Sequence, residues 1–519
     1  MGTRSRLNVE SRVNNYQPQE RHPQRSVAEP GQTQVSATSR HTPPTPGERP
    51  TDDGRVERIL FALTANRALK PSSKLAATDW IAHDVHITGL TEVLDEACYR
   101  AMDTLLAIET RLTEEIYHQV ADLLNLEVDL LFFDTTSTYF QTGEADEALA
   151  RDEHGRPNPG GALTDPVRDT GFRTYGKSKD HRGDLPQVVI GMAVTRQGIP
   201  VRVWSWPGNT GDSALIRQVK DDMRDWSLAR VVWVADRGFS SEQNRRYLQR
   251  AGGHYIIGEK LRSGCDEVKT ALSRPGRYKL VADNMRVKEV NLDDAGDRFV
   301  ICYNPDEAVR DAHVREELLA HLAARIEGSD QLPATERGQL HGQISTKPGL
   351  NRFLRVTPGG LLRIDTAAVK AEQRLDGKYL LRCSDPKLSA EDIAVGYKQL
   401  LEVERGWRDM KSVLDLRPVY HRLEDRIRAH VLLCWLALLL VRVVETTTGQ
   451  TWPTIRAHLQ RLHIITFTGP AGTFRQRTEL TKPQRDLFTA LNLDPPKKII
   501  EITTPTADEE ANPADASVA

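Results

Sequence analysis

Short apolar runs separated by turn residues are the feature that most constrains this chain, and they lie between residues 128 and 260. A run that is apolar at nearly every position is typical of a strand buried on both faces of a sheet. We predict five strands, over residues 128–133, 187–195, 201–206, 229–236 and 254–260. Helices are predicted over about 213–226 and from Ser240 or Ser241, which can cap a helix, through Arg250.

The order of these elements indicates a fold class. Three strands, a helix, a strand, a helix and a strand follow one another along the chain, which is the order of the ribonuclease-H-like fold. We therefore predict an α/β core over residues 126–446. Residues of about 262–372 interrupt the pattern and are predicted to form an inserted α+β subdomain.

The regions on either side of the core differ from it in composition and periodicity. Residues 55–125 repeat apolar positions at intervals of three and four, which predicts a helical N-terminal domain. Residues 1–54 are rich in Pro, Gln, Ser and Arg and are predicted to be disordered. Residues 447–500 are expected to form a small C-terminal region, and residues 501–519 an acidic disordered tail.

Composition limits the class of protein. The formal net charge of the 519 residues is −2, so overall charge gives no support to nucleic-acid binding and local charge has to be considered. The five cysteines form no CxxC or Cys/His pattern, which argues against a structural zinc site and favours a reducing cytoplasm. The longest apolar run, residues 431–441, is shorter than the roughly 20 residues of a membrane helix, so no membrane association is expected.

Two of the predicted strands end in an aspartate. Asp134 follows Leu-Phe-Phe, and Asp236 follows Val-Trp-Val-Ala. A single aspartate at a strand end is more often a turn former or a helix cap. Two such ends in one open α/β sheet lie where ligands bind, and carboxylate oxygens suit a hard cation such as Mg²⁺. The pair indicates a shared metal site that still needs a third carboxylate.

A long helix predicted over residues 389–414 supplies that third carboxylate. Tyr397, Glu404 and Lys411 are spaced seven residues apart, nearly two helical turns, so they share one helix face. Glu402 is the competing carboxylate, but at about 100° per residue it points about 200° away from Glu404. An ordinary solvated helix face has the same spacing, so spacing alone leaves both interpretations open.

Three sequence blocks together resemble a known family. The blocks are FDTTS at 133–137, ADRGF at 235–239 and the segment 397–411, and they are similar to those of bacterial insertion-sequence DDE transposases of the insertion-sequence-four type. That family's third block has a tyrosine, an arginine three residues on, a glutamate four further and a lysine seven further. Leu400 stands at the arginine position and is a departure. The resemblance covers about residues 125–445.

The resemblance implies an activity and a cofactor. It implies that Asp134, Asp236 and Glu404 are catalytic and bind two divalent ions, Mg²⁺ or Mn²⁺ in its place, for DNA cleavage and strand transfer. It implies double-stranded DNA partners, namely the terminal inverted repeats of a mobile element and the target DNA, and a dimer in the DNA complex. The expected process is DNA transposition, a form of DNA recombination, in the bacterial cytoplasm.

Residues near the three blocks are candidate DNA contacts, because Lys and Arg bind phosphates of any sequence. The candidates are Tyr397, Lys411, Arg408, Arg237, Lys177 and Lys179. A solvated surface charge explains any single one of the basic residues equally well.

Two other functions fit the sequence. The Pro/Gln/Arg-rich start and Leu400 fit a DNA-binding relic that no longer moves DNA. A metal-dependent nuclease that only hydrolyses fits the same three acids. An intact reading frame between matching inverted repeats would exclude the relic, and joined DNA products would exclude the nuclease.

Overall fold

The computed structural model describes residues 53–124, 130–224, 226, 231–262, 265–292 and 296–504. The two predicted disordered segments, 1–54 and 501–519, therefore lie almost entirely outside the described residues. Most of the few residues of these segments that the structure describes belong to regular elements. A helix begins at Asp53, and the strand Ile499–Thr503 contains the first residues of the predicted acidic tail.

The described residues contain sixteen α-helices and fourteen strands, together with three short 3₁₀ turns. The helices are α1 (Asp53–Leu69), α2 (Lys74–His83), α3 (Asp95–Ala107), α4 (Glu109–Leu124), α5 (Asp212–Asp222), α6 (Glu242–Leu248), α7 (Asp266–Ser273), α8 (Pro305–Ile326), α9 (Ala334–Ser345), α10 (Pro348–Asn351), α11 (Thr366–Gln373), α12 (Ala390–Lys398), α13 (Leu401–Ser412), α14 (Glu424–Thr448), α15 (Trp452–Leu459) and α16 (Lys482–Ala490). The strands are β1 (Leu130–Tyr139), β2 (Gln187–Thr195), β3 (Pro200–Pro207), β4 (Val232–Ala235), β5 (His254–Glu259), β6 (Lys279–Ala282), β7 (Met285–Asn291), β8 (Arg298–Tyr303), β9 (Leu354–Val356), β10 (Leu362–Ile364), β11 (Lys378–Cys383), β12 (Ile464–Gly469), β13 (Gly472–Arg477) and β14 (Ile499–Thr503).

A nine-stranded mixed sheet forms the centre of the fold, in the order β3-β2-β1-β4-β5-β11-β8-β7-β6. β4 is parallel to both β1 and β5, and the other neighbouring pairs are antiparallel. The five strands predicted from the apolar runs are confirmed as β1 to β5 in the predicted chain order. The class is therefore mixed α/β, as expected.

Both faces of the first five strands are covered, which is why their sequences are apolar without alternation. Leu130 and Phe132 of β1 belong to a core that also includes residues of α1, α3, α12, α13 and α14. Leu131 and Phe133 point to the opposite face and pack in a second core with residues of α4, α5 and α6. A sheet enclosed in this way is a rigid support for side chains at its strand ends.

The structure differs from the sequence prediction in the length of two elements. β1 does not end at Asp134 but continues to Tyr139, since the Thr-rich segment after Asp134 pairs with β2. The predicted helix over residues 389–414 is two helices, α12 and α13, which are separated at Gln399 and Leu400. Its predicted start is confirmed, because Ser389 and Asp392 form a reciprocal capping box.

The predicted insertion, residues 262–372, contributes to the main sheet as well as to a structure of its own. β6, β7 and β8 extend the nine-stranded sheet beyond β11. The helices α8 to α11 follow, and Leu322, Ile344, Leu350 and Phe353 form a separate small core among them. Alternation in the sequence identified these strands, but only long-range pairing decided which sheet they join.

α14 is the most apolar long helix of the described residues. By length and composition it could cross a membrane, yet 72% of its most apolar window is buried inside the protein. Trp435, which is 1% exposed, lies in its middle and donates a hydrogen bond from its indole N–H to the Pro200 carbonyl at 3.2 Å. α14 is thus a central core helix of the fold.

We predict that Trp435→Ala lowers the free energy of unfolding by about 3–5 kcal/mol, because it leaves a large cavity beneath the sheet. Leu440→Ala on the same helix is the matched control. Leu440 is 46% exposed, so its loss should change the free energy by no more than about 0.5 kcal/mol. Urea unfolding followed by circular dichroism measures both, and equal losses would contradict the placement of α14.

Candidate active site

Strand register places two aspartates and a glycine side by side. Phe133 of β1 is paired with Ala235 of β4, and Ala235 is paired with Ile257 of β5. The next residues along these three strands are Asp134, Asp236 and Gly258. Parallel pairing therefore brings the two aspartates together although 101 residues separate them in the chain.

The alternation of side chains along β1 decides which face the site occupies. Leu130 and Phe132 belong to the core on the α12–α14 side, and Asp134 continues that alternation. Gly396 of α12 lies so close to β1 that a Cβ there would be 3.0 Å from Leu130 Cδ1. This close approach brings the end of α12 and the start of α13 to the aspartates.

A cavity of about 340 Å³ at this position contains all three sequence-predicted acids. Asp134, Asp236 and Glu404 line it, although they come from β1, the end of β4 and α13. The remaining lining residues are Asn284, Met285, Asn304, Tyr379, Tyr397, Lys398, Leu400 and Leu401. The cavity thus combines carboxylates, amides and aromatic rings.

The competing carboxylate Glu402 lies elsewhere. A Cβ at Gly198, in the turn between β2 and β3, would be 2.7 Å from Glu402 Oε2. Glu402 also lies 3.8 Å from Arg405 and does not line the cavity. The structure therefore separates the two glutamates as helix geometry requires, with Glu404 at the cavity.

Asp134 is held in a network of polar side chains. Lys179 Nζ lies 3.7 Å from Asp134 Oδ1 and 3.4 Å from Asp212 Oδ2. The Thr135 hydroxyl donates to Asp212 Oδ1 at 2.8 Å, and Lys179 Nζ donates to the Thr135 carbonyl at 2.7 Å. The pKa of Asp134 is raised to about 6, mainly by burial and to a smaller extent by the neighbouring Asp236 and Asp212, while Lys179 opposes the increase. A cation at this carboxylate would therefore be favourable.

Tyr397 fixes the second aspartate. Its hydroxyl donates to Asp236 Oδ1 at 3.2 Å, and its ring stacks on Tyr379. Gly258 makes room for this arrangement, since a Cβ there would lie 2.3 Å from the Tyr397 hydroxyl oxygen and 3.0 Å from Cζ. Tyr397 is thus placed as a positioning residue for Asp236.

Lys411, a predicted DNA contact, has protein partners instead of a free ammonium. Its Nζ donates to the Thr136 hydroxyl at 2.8 Å and to Asp180 Oδ1 at 3.0 Å. Arg417 also pairs with Asp180, at 2.8 Å. The Lys411 side chain is only 13% exposed, and burial lowers its pKa. Lys411 therefore ties α13 to β1 and to the segment that precedes β2.

The other basic candidates fall into two groups. Lys179 is engaged at Asp134 and Asp212, as described above. Arg237, Arg408 and Lys177 are exposed, and none of them forms an ion pair within the described residues. These three side chains are therefore available to bind a phosphate group.

The donor set fits a hard divalent cation, but the three acids are not gathered around one point. Within the described residues, no group of three or more His, Cys, Asp or Glu side chains is close enough to hold a metal ion as it stands. The sequence-based expectation that the three carboxylates converge to metal-bridging distance is therefore not met.

Several cavity residues were missed by the sequence reasoning. Asn304 caps α8 through bonds from Asp306 and Glu307 backbone N–H groups, and the Asn-Pro signal was visible in the sequence. Asn284 and Tyr379 reach the cavity only because β7 and β11 join the main sheet. Asp212 carries no motif that points to Asp134.

Comparison with known proteins identifies the family. Residues 164–440 match the family described as Transposase DDE domain, which is more than half of the 519 residues. The chain therefore belongs to this family. Asp236 and Glu404 lie within the matched region, and Asp134 lies before it. No curated protein matches the chain.

Solved structures with some similarity are transposases in complexes. The piggyBac transposase synaptic complex with hairpin DNA is 10% identical, with a TM-score of 0.37 over 80% of this chain and 71% of that one. The Mos1 transposase paired-end complex with the left transposon end is 12% identical, with a TM-score of 0.15 over 43% of this chain and 62% of that one. The Mos1 mariner paired-end complex with Mn gives the same values. At these TM-scores the likenesses carry no argument about the site.

We predict that Gly258→Ala destabilises the protein by about 1–3 kcal/mol, because the new methyl group collides with Tyr397. Tyr397→Phe alone should cost about 0.5–1.5 kcal/mol through the lost hydrogen bond to Asp236. In the double variant the penalty of Gly258→Ala should be smaller by about 0.5 kcal/mol or more, since the colliding oxygen is gone. Urea unfolding of the four proteins measures this, and strictly additive penalties would count against the packing described.

Proposed function

We propose that this protein is a DNA transposase that cleaves DNA and transfers the cut strand, with Asp134, Asp236 and Glu404 as its catalytic carboxylates. The observation that carries the proposal is the cavity that collects these three acids in a member of the transposase DDE domain family. These three acids are far apart in the sequence, so local structure alone does not explain why they line the same cavity. The strand order β3-β2-β1-β4-β5 supports a ribonuclease-H-like core.

The three carboxylates are proposed to hold two divalent ions, Mg²⁺ or Mn²⁺. When bound, the ions would activate the attacking water or 3′-hydroxyl and stabilise the leaving oxygen of the phosphodiester. The remaining residues position these ligands. Tyr397 orients Asp236 through its hydroxyl, and Lys179 holds the loop before β2 against β1. A bound cation would take over the charge compensation that Lys179 provides at Asp134.

DNA is the proposed partner, in the form of the inverted repeats of an insertion sequence and of target DNA. Arg237 follows Asp236 directly, and Arg408 lies one turn beyond Glu404 on α13. Exposed cations beside the cavity would hold the phosphates on either side of the scissile bond. We also propose that the protein is of the insertion-sequence-four type and acts in the bacterial cytoplasm. In the DNA complex it is proposed to be a dimer.

We predict that Asp134→Ala, Asp236→Ala and Glu404→Ala each abolish nicking and joining of transposon-end DNA in the presence of Mg²⁺, because each removes a ligand of the same ions. Residues that act as one unit are not additive, so a double variant should lose little more than a single one. End binding should persist or tighten, since a carboxylate that repels phosphate is gone. A gel comparison of binding, nicking and joining measures all three properties.

Glu402→Ala is the matched control for the third acid. It removes the same side chain from the same helix, two residues away, but outside the cavity. It should nick and join DNA at close to the parent rate. Loss of activity in Glu402→Ala with activity retained in Glu404→Ala would refute our assignment, and nicking without joining in the parent would indicate a nuclease.

We predict that Arg408→Gln weakens DNA binding for every sequence tested, because it removes one phosphate contact. The plot of log affinity against log salt has a negative slope, and the magnitude of this slope should decrease by about 0.9 for one lost contact to duplex DNA. Arg408→Lys keeps the positive charge and should keep the slope. An Arg408→Gln slope equal to that of the parent would place this side chain outside the DNA interface.

A further inference from the structure

A second cavity, of about 520 Å³, lies between the N-terminal helices and the segment that leads into α14. Arg67 of α1, Lys74 and Ser73 at the start of α2, Asp415, His421 and His430 are among its lining residues. It shares Pro418, Tyr420 and His421 with a polar cavity that includes Lys411 and Arg417, on the side of α13 that faces Asp180.

Lys74 is a buried cation in an unfavourable position. It is 4% exposed, and it is the first residue of a ten-residue helix, where the helix dipole is positive. No acidic residue stands in the first turn of α2 to compensate. Burial and, to a smaller extent, the nearby Arg67 together lower the pKa of Lys74 to about 8, so it is still largely protonated at neutral pH.

The neighbours of Lys74 do not neutralise it. Within the described residues its one hydrogen-bond partner is His430 Nδ1 at 3.5 Å. His430 Nε2 lies 3.1 Å from the Leu416 carbonyl, so it carries the proton, and burial lowers the pKa of His430 well below its usual value. The ring is therefore neutral and offers Lys74 a single acceptor, which leaves two ammonium N–H groups unused.

The neighbouring thiols and His421 carry no negative charge, and within the described residues Asp415 is the one carboxylate that lines the cavity. Burial raises the pKa of Cys98 to about 11 and raises that of Cys434, so both are neutral thiols. Burial likewise lowers the pKa of His421 to about 4. Arg67 is 4% exposed, and within the part of the chain that the structure describes its guanidinium donates only to the Asp415 backbone carbonyl, at 3.3 Å. Within the described residues, neither Arg67 nor Lys74 forms an ion pair with a carboxylate, including that of Asp415.

We propose that this cavity binds a phosphate oxyanion, held by Lys74 and Arg67 at the N-terminal end of α2. Arg67 in the last turn of α1 and Lys74 at the N-terminus of α2 are buried cations that repel each other, and an anion that enters between them stabilises both. Phosphate fits because it accepts several charge-assisted hydrogen bonds. The phosphate comes either from the backbone of bound DNA or from free inorganic phosphate. Only the first source rests on the proposed transposase function.

The test is thermal unfolding of the full chain at pH 7, with sodium phosphate compared with sodium chloride at equal ionic strength. The midpoint of the parent protein should rise with the logarithm of the phosphate concentration. Lys74→Met keeps the length of the side chain without its charge, and should weaken phosphate binding about ten- to a hundredfold. Lys70→Met is the matched control, because Lys70 is exposed and pairs with Asp84 outside the cavity, and it should respond as the parent does.

Phosphate also stabilises folded proteins in general, and this effect acts on all variants alike. The comparison of Lys74→Met with Lys70→Met therefore isolates the part of the stabilisation that depends on Lys74. An equal rise of the midpoint in the parent, Lys74→Met and Lys70→Met would overturn the proposal. If Lys74→Met does not fold, Arg67→Gln replaces it in the same comparison. If phosphate does not raise the unfolding midpoint of the parent protein, the proposal is overturned by that measurement alone.

Duplex DNA binding by the same proteins then distinguishes the two sources. Weaker binding by Lys74→Met than by Lys70→Met, together with competition by inorganic phosphate, identifies a DNA backbone phosphate. Equal DNA binding with a lost phosphate response identifies free phosphate. Neither readout needs DNA cleavage, so the failure of this site is distinguishable from the failure of the proposed catalytic function.

Discussion

The parallel pairing of β1 with β4 is the interaction on which the site depends. Four residue pairs, from Leu130 with Val232 to Phe133 with Ala235, set the register. A shift by one residue would turn one aspartate to the opposite face of the sheet, because side chains alternate along a strand. The apolar side chains of both strands are fully enclosed, so register and burial enforce each other. Asp134 and Asp236 are adjacent as a consequence of packing in the core.

The third carboxylate depends on helix packing rather than on strand pairing. α12 and α13 are separate helices, so Tyr397 and Glu404 do not share one continuous helix face as their spacing suggested. Both nevertheless reach the same cavity, because glycines in each helix allow a close approach to the sheet. Gly396 lies against Leu130, and a Cβ at Gly406 would be 2.5 Å from Met192 Cε. Tyr397 of α12 donates to Asp236, and Glu404 of α13 lines the same cavity.

Charge compensation by lysines stabilises the carboxylates near β1. Lys179 lies between Asp134 and Asp212, and Lys411 is engaged by Asp180. Both lysines were predicted from the sequence to contact DNA, and the structure gives both of them protein partners near β1. Sequence proximity to an acidic motif cannot distinguish a lysine that binds phosphate from one that supports the fold. The distinction depends on burial and on residues distant in the chain, such as Thr136 and Asp180.

The sequence by itself determined the five core strands, the capped start of α12 and the separation of Glu404 from Glu402 around the helix, because hydrophobic periodicity and helical geometry are local properties. It also singled out Asp134 and Asp236 through the apolar runs before them. Only the tertiary structure decided that β1 continues past Asp134, that β6 to β8 join the main sheet, and that Asn284, Asn304 and Tyr379 line the cavity. The same holds for the buried cations Arg67 and Lys74. Those outcomes follow from pairing and packing between segments far apart in the chain, which no local pattern encodes.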